Sequence, residues 1–310
     1  QAMMRLKRIL FPTDFSRFSR HALPHAVKLA REHGAELHLL HAIVLHEDDP
    51  YELAHQLPDV SRIRGILDEV ARNRMGDLIQ DHDVPDLVIS QVHRRDVSAA
   101  PPIVEYAREA AIDLIVMGTH GRRGFRRLPM GSVAMEVIRL APCSVFTVRG
   151  DCRPASKYGL KRILVPTDFS PPGRKALVAA KALASAYGAE VQLVHVLEDF
   201  LHPAFYNLGA TQVSDLQPEI IPKTQAALQA LVEIESDEEQ LPARCFVREG
   251  HPAHEILRFA EEEESDLVVM ATHGLRGVKD FFLGSTTERV ISGAQTPVLV
   301  VRESTRSFTE

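Results

Sequence analysis

The sequence predicts an α/β protein of two tandem domains, each an open sandwich in which helices cover a five-stranded parallel sheet. Two observations predict it. The chain repeats itself almost end to end, and within each repeat short runs rich in Leu, Ile and Val alternate with longer segments of helical periodicity. Strands that alternate with helices form βαβ units, and these build parallel sheets that are covered on both faces.

The repeat is visible in long blocks that return in the same order with a shift of 154 or 153 residues. LKRILFPTDFS (6–16) returns as LKRILVPTDFS (160–170), and HGAELHLLHAI (33–43) returns as YGAEVQLVHVL (187–197). DLIVMGTHG (113–121) returns as DLVVMATHG (266–274). Composition alone cannot produce such a series, so the chain is a tandem duplication and its two copies can be compared with each other.

The elements follow in order within the first copy. The predicted strands are RILF, ELHLLHAIV, DLVISQV, DLIVMG and SVFTV. Apolar residues three and four apart predict the first helix, and they are Ala22, Ala26, Leu29 and Ala30. A second helical stripe is formed by Ile63, Leu67, Val70 and Leu78.

The domain boundaries follow from the repeat and from one polar segment. GDCRPASKYG (150–159) carries Gly and Pro and is predicted to be a linker. We therefore expect a first domain over residues 3–149, which begins at Met3, and a second over residues 160–303.

Composition excludes several classes of protein. A hydrophobic content of 45% with 25% charged residues is typical of globular proteins, and the net charge of −6, with neither half strongly basic, argues against a nucleic-acid surface. No apolar run approaches the roughly 20 residues of a membrane span. Three widely spaced cysteines favour a reducing compartment over a disulfide framework. We expect a cytoplasmic protein.

The repeated blocks that do not resemble core follow the first and fourth strands of each copy. FPTDFS and VPTDFS follow the first strand, and MGTHG and MATHG follow the fourth. Ligands of open parallel sheets bind outside the carboxyl ends of the strands, where strand order reverses. In this Rossmann-like arrangement, the repeated residues fall where a binding site is expected.

The segments VMGTHGRRGFRRLPMGS (116–132) and VVMATHGLRGVKDFFLGS (268–285) lead from the fourth strand to a Gly-Ser pair and then to a helical pattern. Free N–H groups at a helix N-terminus bind phosphate. Plain helix capping is the alternative, because Gly and Ser are common caps, and the repeated spacing favours phosphate. The pattern is neither a Walker A loop, which needs a lysine before the Ser, nor a dinucleotide fingerprint, whose glycines lie closer together.

These motifs resemble the universal stress protein family in its tandem form. The pattern G-x2-G-x9-G-S, the PTDFS segment and the duplicated α/β domain carry the resemblance, which covers nearly all 310 residues. The long-spaced glycine motif resembles that of the family's ATP-binding branch. The resemblance implies a stress-response protein that binds ATP, together with Mg²⁺, in each domain.

The resemblance also implies the residues of each pocket. Proline, threonine and aspartate after strand one would line the nucleoside, a strand-two residue would meet the adenine, and the strand-four loop would hold ribose and phosphates. In the first copy these are Pro12, Thr13, Asp14, Ala42, Met117, Gly118, Gly121, Gly131, Ser132 and Val133. In the second copy they are Pro166, Thr167, Asp168, Val196, Met270, Ala271, Gly274, Gly284, Ser285, Thr286 and Thr287.

The two copies depart from the motif in different ways. The second copy has Ala271 at the first glycine position, where a methyl group costs little only if the backbone φ is negative. The first copy has Ala134 where the second has the hydroxyl of Thr287. We expect both pockets to bind, with unequal affinity.

Three functions remain open from the sequence. The first is an ATP-binding regulatory module. The second is a slow Mg²⁺-dependent ATP hydrolase, in which Asp14 and Asp168 would hold the metal or orient water, although no separate general base is found. The third is a nucleotide-free scaffold.

The resemblance further implies that the fifth strands, SVFTV (144–148) and PVLVV (297–301), pair edge to edge, so that one chain is a pseudo-dimer. A homodimer and a protein partner of unknown identity are also expected. His41 and His195, in the second strands, are predicted to be buried and hydrogen-bonded.

Overall fold

The structure is a computed structural model in which contacts divide the chain into two compact units, between Val145 and Phe146. It describes residues 6–44, 60–80, 86–119, 130–150, 152, 159–198, 212–234, 242–274 and 283–302, with side chains from 65 onward in the segment 60–80. No helix within these ranges is long and apolar enough to cross a membrane.

The first unit alternates strands and helices. Its elements are β1 (Arg8–Pro12), α1 (Arg17–His33), β2 (Glu36–Val44), α2 (Val60–Gln80), β3 (Ile89–Asp96), α3 (Ala100–Glu109), β4 (Leu114–Gly118), α4 (Ser132–Leu140) and the start of β5 (Ser144–Val148). The strand order is β3-β2-β1-β4-β5, and β1 pairs in parallel with both β2 and β4. Strand order therefore reverses beside β1, and the predicted binding edge lies there.

Within the described residues, the second unit repeats this arrangement and adds one short helix. After the end of β5 it contains β6 (Arg162–Pro166), α5 (Pro171–Tyr187), β7 (Glu190–Leu197), α6 (Val213–Leu216), α7 (Ile220–Ile234), β8 (Ala243–Glu249), α8 (Pro252–Glu262), β9 (Leu267–Ala271), α9 (Ser285–Gly293) and β10 (Val298–Val301). The order is β10-β9-β6-β7-β8, and the neighbouring strands pair in parallel. The predicted α/β fold with a parallel sheet in each repeat is confirmed.

The helix that follows the first strand has the same caps in both units. Ser16 begins α1 and Ser170 begins α5, each by accepting a hydrogen bond from the amide three residues later. Gly34 and Gly188 end these helices in the left-handed conformation, which glycine adopts at no steric cost. The duplication therefore extends to local hydrogen bonding.

The predicted apolar stripe of α2 is wrong at one position. Val70 is 42% exposed, whereas Ala71, Met75 and Leu78 are buried. These three residues are spaced by four and three, and Ala71 follows Leu67 by four, so the stripe passes through Ala71 in place of Val70 while Leu78 is buried as predicted. The side chain of Ile63 lies outside the described residues.

His25 on α1 makes the stability of the first unit depend on pH. Burial, and secondarily the charge of Lys28, lowers the pKa of His25 from 6.5 to about 4. The unfolded chain therefore binds more protons than the folded chain between these values, and stability is lost as the pH falls from about 6.5 toward about 4. Burial also lowers the pKa of His38, which acts in the same direction.

We expect His25→Gln to flatten the dependence of unfolding free energy on pH between about 6.5 and about 4. Urea unfolding of the full-length chain across this range measures the slope. His21→Gln is the matched control, because His21 lies on the same helix but is exposed. An equal slope in the two variants would contradict the assignment.

Candidate ligand-binding site

The loop between β6 and α5 holds its shape by hydrogen bonds from its own side chains. Thr167 Oγ1 accepts from the Phe169 amide at 3.1 Å, and Asp168 Oδ1 accepts from the Ser170 amide at 3.1 Å. Ser170 Oγ in turn accepts from the Gly173 amide at 3.1 Å. These bonds fix Phe169 at a φ of 64°, a conformation that is costly for a residue with a side chain and that is found at functional sites.

A histidine from the neighbouring strand supports this loop. His195 Nδ1 lies 2.8 Å from the carbonyl oxygen of Thr167, so Nδ1 carries the proton and donates it. Its ring packs on Phe169 with centroids 4.8 Å apart. The first unit repeats the hydrogen bond between His41 and the Thr13 carbonyl at 2.7 Å. The predicted hydrogen bonds of both histidines are confirmed, although both rings are only half-buried.

The start of α9 is placed by a backbone hydrogen bond. The amide of Gly284 donates to the carbonyl of Thr272, just after β9, at 2.8 Å. Gly284 is the N-cap, with a φ of −61°, and no side chain caps the helix. The amides of residues 285–287 have no intrahelical acceptor, because they belong to the first turn. They are thus available to a ligand.

The first unit builds the same helix start. The amide of Gly131 donates to the carbonyl of Thr119 at 2.8 Å, and Gly131 is the N-cap of α4 with a φ of −62°. No side chain caps this helix either. Each glycine is thus the N-cap residue of its helix, as the capping alternative expects, but neither Gly-Ser pair supplies a side-chain cap.

In the second unit these elements surround a cavity of about 730 Å³ at the carboxyl ends of β6, β7 and β9. All the residues predicted for the second pocket line it, namely Pro166, Thr167, Asp168, Val196, Met270, Ala271, Gly274, Gly284, Ser285, Thr286 and Thr287. The structure therefore brings together residues that are more than 100 positions apart in the sequence.

In the first unit the predicted residues occupy the equivalent positions. Pro12, Thr13 and Asp14 follow β1, Ala42 lies in β2, Met117 and Gly118 end β4, and Gly131, Ser132 and Val133 form the start of α4. Gly121 lies outside the described residues.

The first copy has Gly118 where the second has Ala271, and the helix packed against this position differs between the copies as well. A Cβ on Gly118 would lie 2.9 Å from the carbonyl oxygen of Phe18 and 3.3 Å from the Cα of Ser19, so α1 leaves no room for it. In the second unit Gly173 stands at the position of Ser19. Ala271 does not have a positive φ, so its methyl group adds no backbone strain.

The presence of Gly173 at the position of Ser19 also changes the hydrogen bonds of the threonine that follows the first strand. In the first unit the hydroxyls of Thr13 and Ser19 form a buried hydrogen bond of 3.1 Å. Gly173 cannot provide such a partner to Thr167, and both residues line the second cavity. The two sites are therefore not identical, which agrees with unequal affinity but does not test it.

The carboxylate of Asp168 lies so close to the backbone of Gly274 that it leaves no room for a side chain at this position. A Cβ at this position would clash with Asp168 Oδ2 and lie 3.0 Å from its Cγ. The carboxylate cannot move away without losing the hydrogen bond from the Ser170 amide. Gly284 differs, because a Cβ there would meet its nearest neighbours at an ordinary 3.5 Å.

The cavity also contains residues that the sequence did not assign to the site. They are Gly173, Val194, His195, Leu197, Glu198, Val213, Ile220, Pro252, Ile256 and Leu283. His273, whose place in the strand-four glycine loop makes it a candidate for contact with a nucleotide or with the other domain, also lines the cavity. His41 and His195 recur at matching positions of the two copies, next to the predicted base contacts Ala42 and Val196, and this recurrence could have identified them. Val213 and Ile220 gave no such signal, because they belong to a segment in which the two copies differ.

Charge and donor type vary along the cavity. The N-terminus of α9 supplies amides and the positive end of a helix dipole, while Asp168 and Glu198 supply carboxylates. Thr287 Oγ1 donates to the carbonyl of Ala271 at 3.1 Å and so ties α9 to β9. The described residues contain no group of three or more His, Cys, Asp or Glu side chains arranged to hold a metal ion.

Comparison with known proteins agrees with the fold. The profile of the Universal stress protein family matches residues 5–149 and 159–302. A universal stress protein of Methanocaldococcus jannaschii is 36% identical over 144 residues, which are 46% of this chain and 82% of that protein. One of Mycolicibacterium smegmatis is 27% identical over 306 residues, which are 95% of this chain and 96% of that protein.

The solved structures include one that is similar over both repeats. The crystal structure of a universal stress protein from Archaeoglobus fulgidus superposes with a TM-score of 0.70 at 22% identity. The match covers 95% of this chain and 98% of the other. At this identity the similarity shows the fold alone.

We expect Gly274→Ala to destabilise the second unit by about 1–3 kcal/mol, because it overpacks the contact with Asp168. Gly284→Ala is the comparison variant and should cost less than about 1 kcal/mol, because alanine is a poorer N-cap than glycine but meets no close neighbour there. Chemical unfolding of both variants measures the difference. In a double-mutant cycle, Asp168→Ala should remove most of the cost of Gly274→Ala, and additive effects would contradict the contact.

Proposed function

The chain belongs to the universal stress protein family, and from the cleft of its second repeat we propose that it is an ATP-binding member with one adenine nucleotide site per domain. The observation that carries this proposal is the cavity at the carboxyl ends of β6, β7 and β9. It is lined by the complete set of second-copy residues that the ATP-binding branch implies, and it ends at the uncapped start of α9.

The cavity has the size and the chemistry that a nucleotide requires. Its volume of about 730 Å³ lies within the roughly 300–1,000 Å³ of ordinary ligand pockets. At one end the amides of residues 285–287 and the dipole of α9 favour phosphate. Toward β7 the lining turns apolar, with Val196, Leu197 and Ile256, and suits a flat base.

Each group of residues has an assigned role in this proposal. Gly284 leaves the start of α9 open, while Ser285 and Thr286 add hydroxyls beside the amides. Pro166, Thr167 and Asp168 line the nucleoside, and Val196 meets the base. Met270 and Ala271 flank the ribose, and Gly274 allows the backbone to approach both Asp168 and the ligand.

The residues present can also accommodate Mg²⁺ as part of the nucleotide complex. Mg²⁺ prefers oxygen ligands and is commonly bound through one or two carboxylates together with substrate phosphates. Asp168 and Glu198 are carboxylates of the cavity lining, so a protein carboxylate could complete such a set. In this proposal the metal adds charge neutralisation of the phosphates.

We assign binding, and not cleavage, to the site. The carboxylates of Asp14 and Asp168 each accept the amide of the serine two residues later, at 2.9 and 3.1 Å. This contact gives both residues a role in holding the loop. Backbone amides that bind phosphate do not require a general base.

Binding would connect to regulation at the carboxyl edge of the sheet, because a bound nucleotide would change the surface that this edge offers to a partner. We propose a cytoplasmic stress-response role, which the small number and wide spacing of the three cysteines support. Pairing of the fifth strands, a homodimer and a separate protein partner are further parts of the proposal. Thr147 Oγ1 donates to the carbonyl of Val298 at 3.0 Å, which supports the strand pairing.

We expect Gly284→Val to remove one of about two ATP molecules bound per chain and Gly131→Val to remove the other. A valine fits the backbone at both positions, with φ near −61° and ψ near 139° at Gly284, but its side chain would cover the helix amides. Titration calorimetry with MgATP measures the stoichiometry. Gly65→Val is the matched control, because Gly65 is exposed on α2 with open space around it.

Unchanged stoichiometry in Gly284→Val with an intact fold would contradict nucleotide binding at this cavity. An equal loss in Gly65→Val would show that the effect is not specific to the site.

A further inference from the structure

We propose that Glu249 is a positioning residue of the second domain, whose carboxylate holds α6 as the apolar wall of the cavity at the base end of the nucleotide. The inference rests on the nucleotide binding proposed above. It adds a residue that neither the sequence motif nor the cavity lining contains, and it predicts that this residue acts on affinity for the base and not for the phosphates.

The contact involves both oxygens of one carboxylate. Glu249 ends β8, the last strand in the order of the second unit. Ser214 donates its amide to Oε2 at 3.1 Å and its hydroxyl to Oε1 at 2.7 Å. Hydrogen bonds to an ionised carboxylate are stronger than neutral ones, so this pair ties α6 firmly to the end of β8.

The helix needs such a tie because it is only four residues long. A single helical turn is unstable by itself, since nucleation costs more than one turn returns. Gln212 and Asp215 form a capping box at its start. The amide of Ile220 donates to the carbonyl of Gln217 at 2.9 Å and joins α6 to α7. Local hydrogen bonds therefore link residues 212–220, and Ser214 anchors this segment to β8.

This segment presents apolar side chains to the cavity. Val213 and Ile220 line it and are half-buried. Leu216 and Ile221, by contrast, are 41% and 38% exposed. Ile220 begins α7, whose Leu228 and Leu231 are buried, and so keeps its place. Loss of the Glu249 contact would therefore release Val213, and the cavity would lose part of one apolar wall.

The apolar side chain of Val213 lies at the opposite end of the cavity from the N-terminus of α9, where the phosphates would bind. The start of α9 is fixed to the end of β9, and the order β9-β6-β7-β8 places two strands between β9 and β8. Strands are about 4.8 Å apart, so the end of β8 lies about 14 Å from that of β9. A nucleoside attached to a phosphate at α9 extends along this direction toward Val196 in β7.

In the first repeat the end of β3, the strand that corresponds to β8, is held to a helix by a different ion pair. Arg95 pairs with Ile43 in the sheet as Glu249 pairs with Leu197, so Arg95 occupies the register position of Glu249. Its guanidinium contacts Asp68 on α2. The charge on the strand is reversed, and its partner lies on a long helix. The carboxylate tie to a short helix is thus a property of the second repeat.

The test measures the affinities of the full-length chain for MgATP and for inorganic tripolyphosphate, which has no base. All variants carry Gly131→Val, so that the second site is observed alone. Glu249→Gln replaces one oxygen by an amide nitrogen, which cannot accept from Ser214. We expect ATP affinity to fall about tenfold and tripolyphosphate affinity to stay within about twofold. Ser214→Ala, a milder change, should weaken ATP about threefold.

Glu262→Gln is the matched control, because it makes the same charge change at the C-terminal end of α8, where Glu262 contacts Arg248 and Arg258. It should leave both affinities unchanged. Unchanged ATP affinity in both Glu249→Gln and Ser214→Ala, or an equal fall for both ligands, would overturn the positioning role. If the chain with Gly131→Val alone binds no ATP, the nucleotide proposal fails, and this inference fails with it.

Discussion

The hydrogen bond from the amide of Gly284 to the carbonyl of Thr272, 2.8 Å long, is the contact on which the cleft depends. It connects Thr272, just after β9, with Gly284, the N-cap of α9, and eleven residues of the sequence separate the two. Because the N-cap amide is used in this way, the helix begins beside the sheet edge and its next three amides face the region where strand order reverses. The bond between Gly131 and Thr119 does the same in the first unit at the same distance. The same placement of a helix N-terminus thus follows from one backbone contact made twice.

Much of this arrangement could be predicted from the sequence, because repeated blocks and hydrophobic periodicity mark strands, helices and loop ends directly. The tandem α/β fold follows from those signals, and so does the place of the PTDFS and MATHG segments at the carboxyl ends of the strands in the second repeat. The positive φ of Phe15 and Phe169 could not be predicted, since it results from several side chains that hold one loop. The burial of Ala71 in place of Val70 was also missed, because periodicity defines a stripe only to within about one residue.

The segments that differ between the copies carry most of what the sequence could not reveal. Helix α6 has no counterpart within the described residues of the first unit, and Ser214 ties it to Glu249 at the end of β8. In the first unit α2 instead brings the guanidinium of Arg74 over the ring of Phe15, 5.7 Å from its centroid. The contacts that the two units share place the start of the helix after the fourth strand, whereas the segments that follow the second strand differ between the units. The two clefts of one duplication therefore keep the same helix start and differ in their surroundings.

The most direct measurement of the central claim is the nucleotide content of the protein itself. The purified chain would be equilibrated with MgATP, freed of unbound ligand, denatured, and its adenine nucleotide counted per chain while the melting temperature is followed in parallel. The account predicts about two nucleotides per chain and a melting temperature that rises with MgATP, because a ligand that binds only the folded state stabilises it. No retained nucleotide and no thermal shift would contradict it, and would leave the glycine loops with a purely structural role.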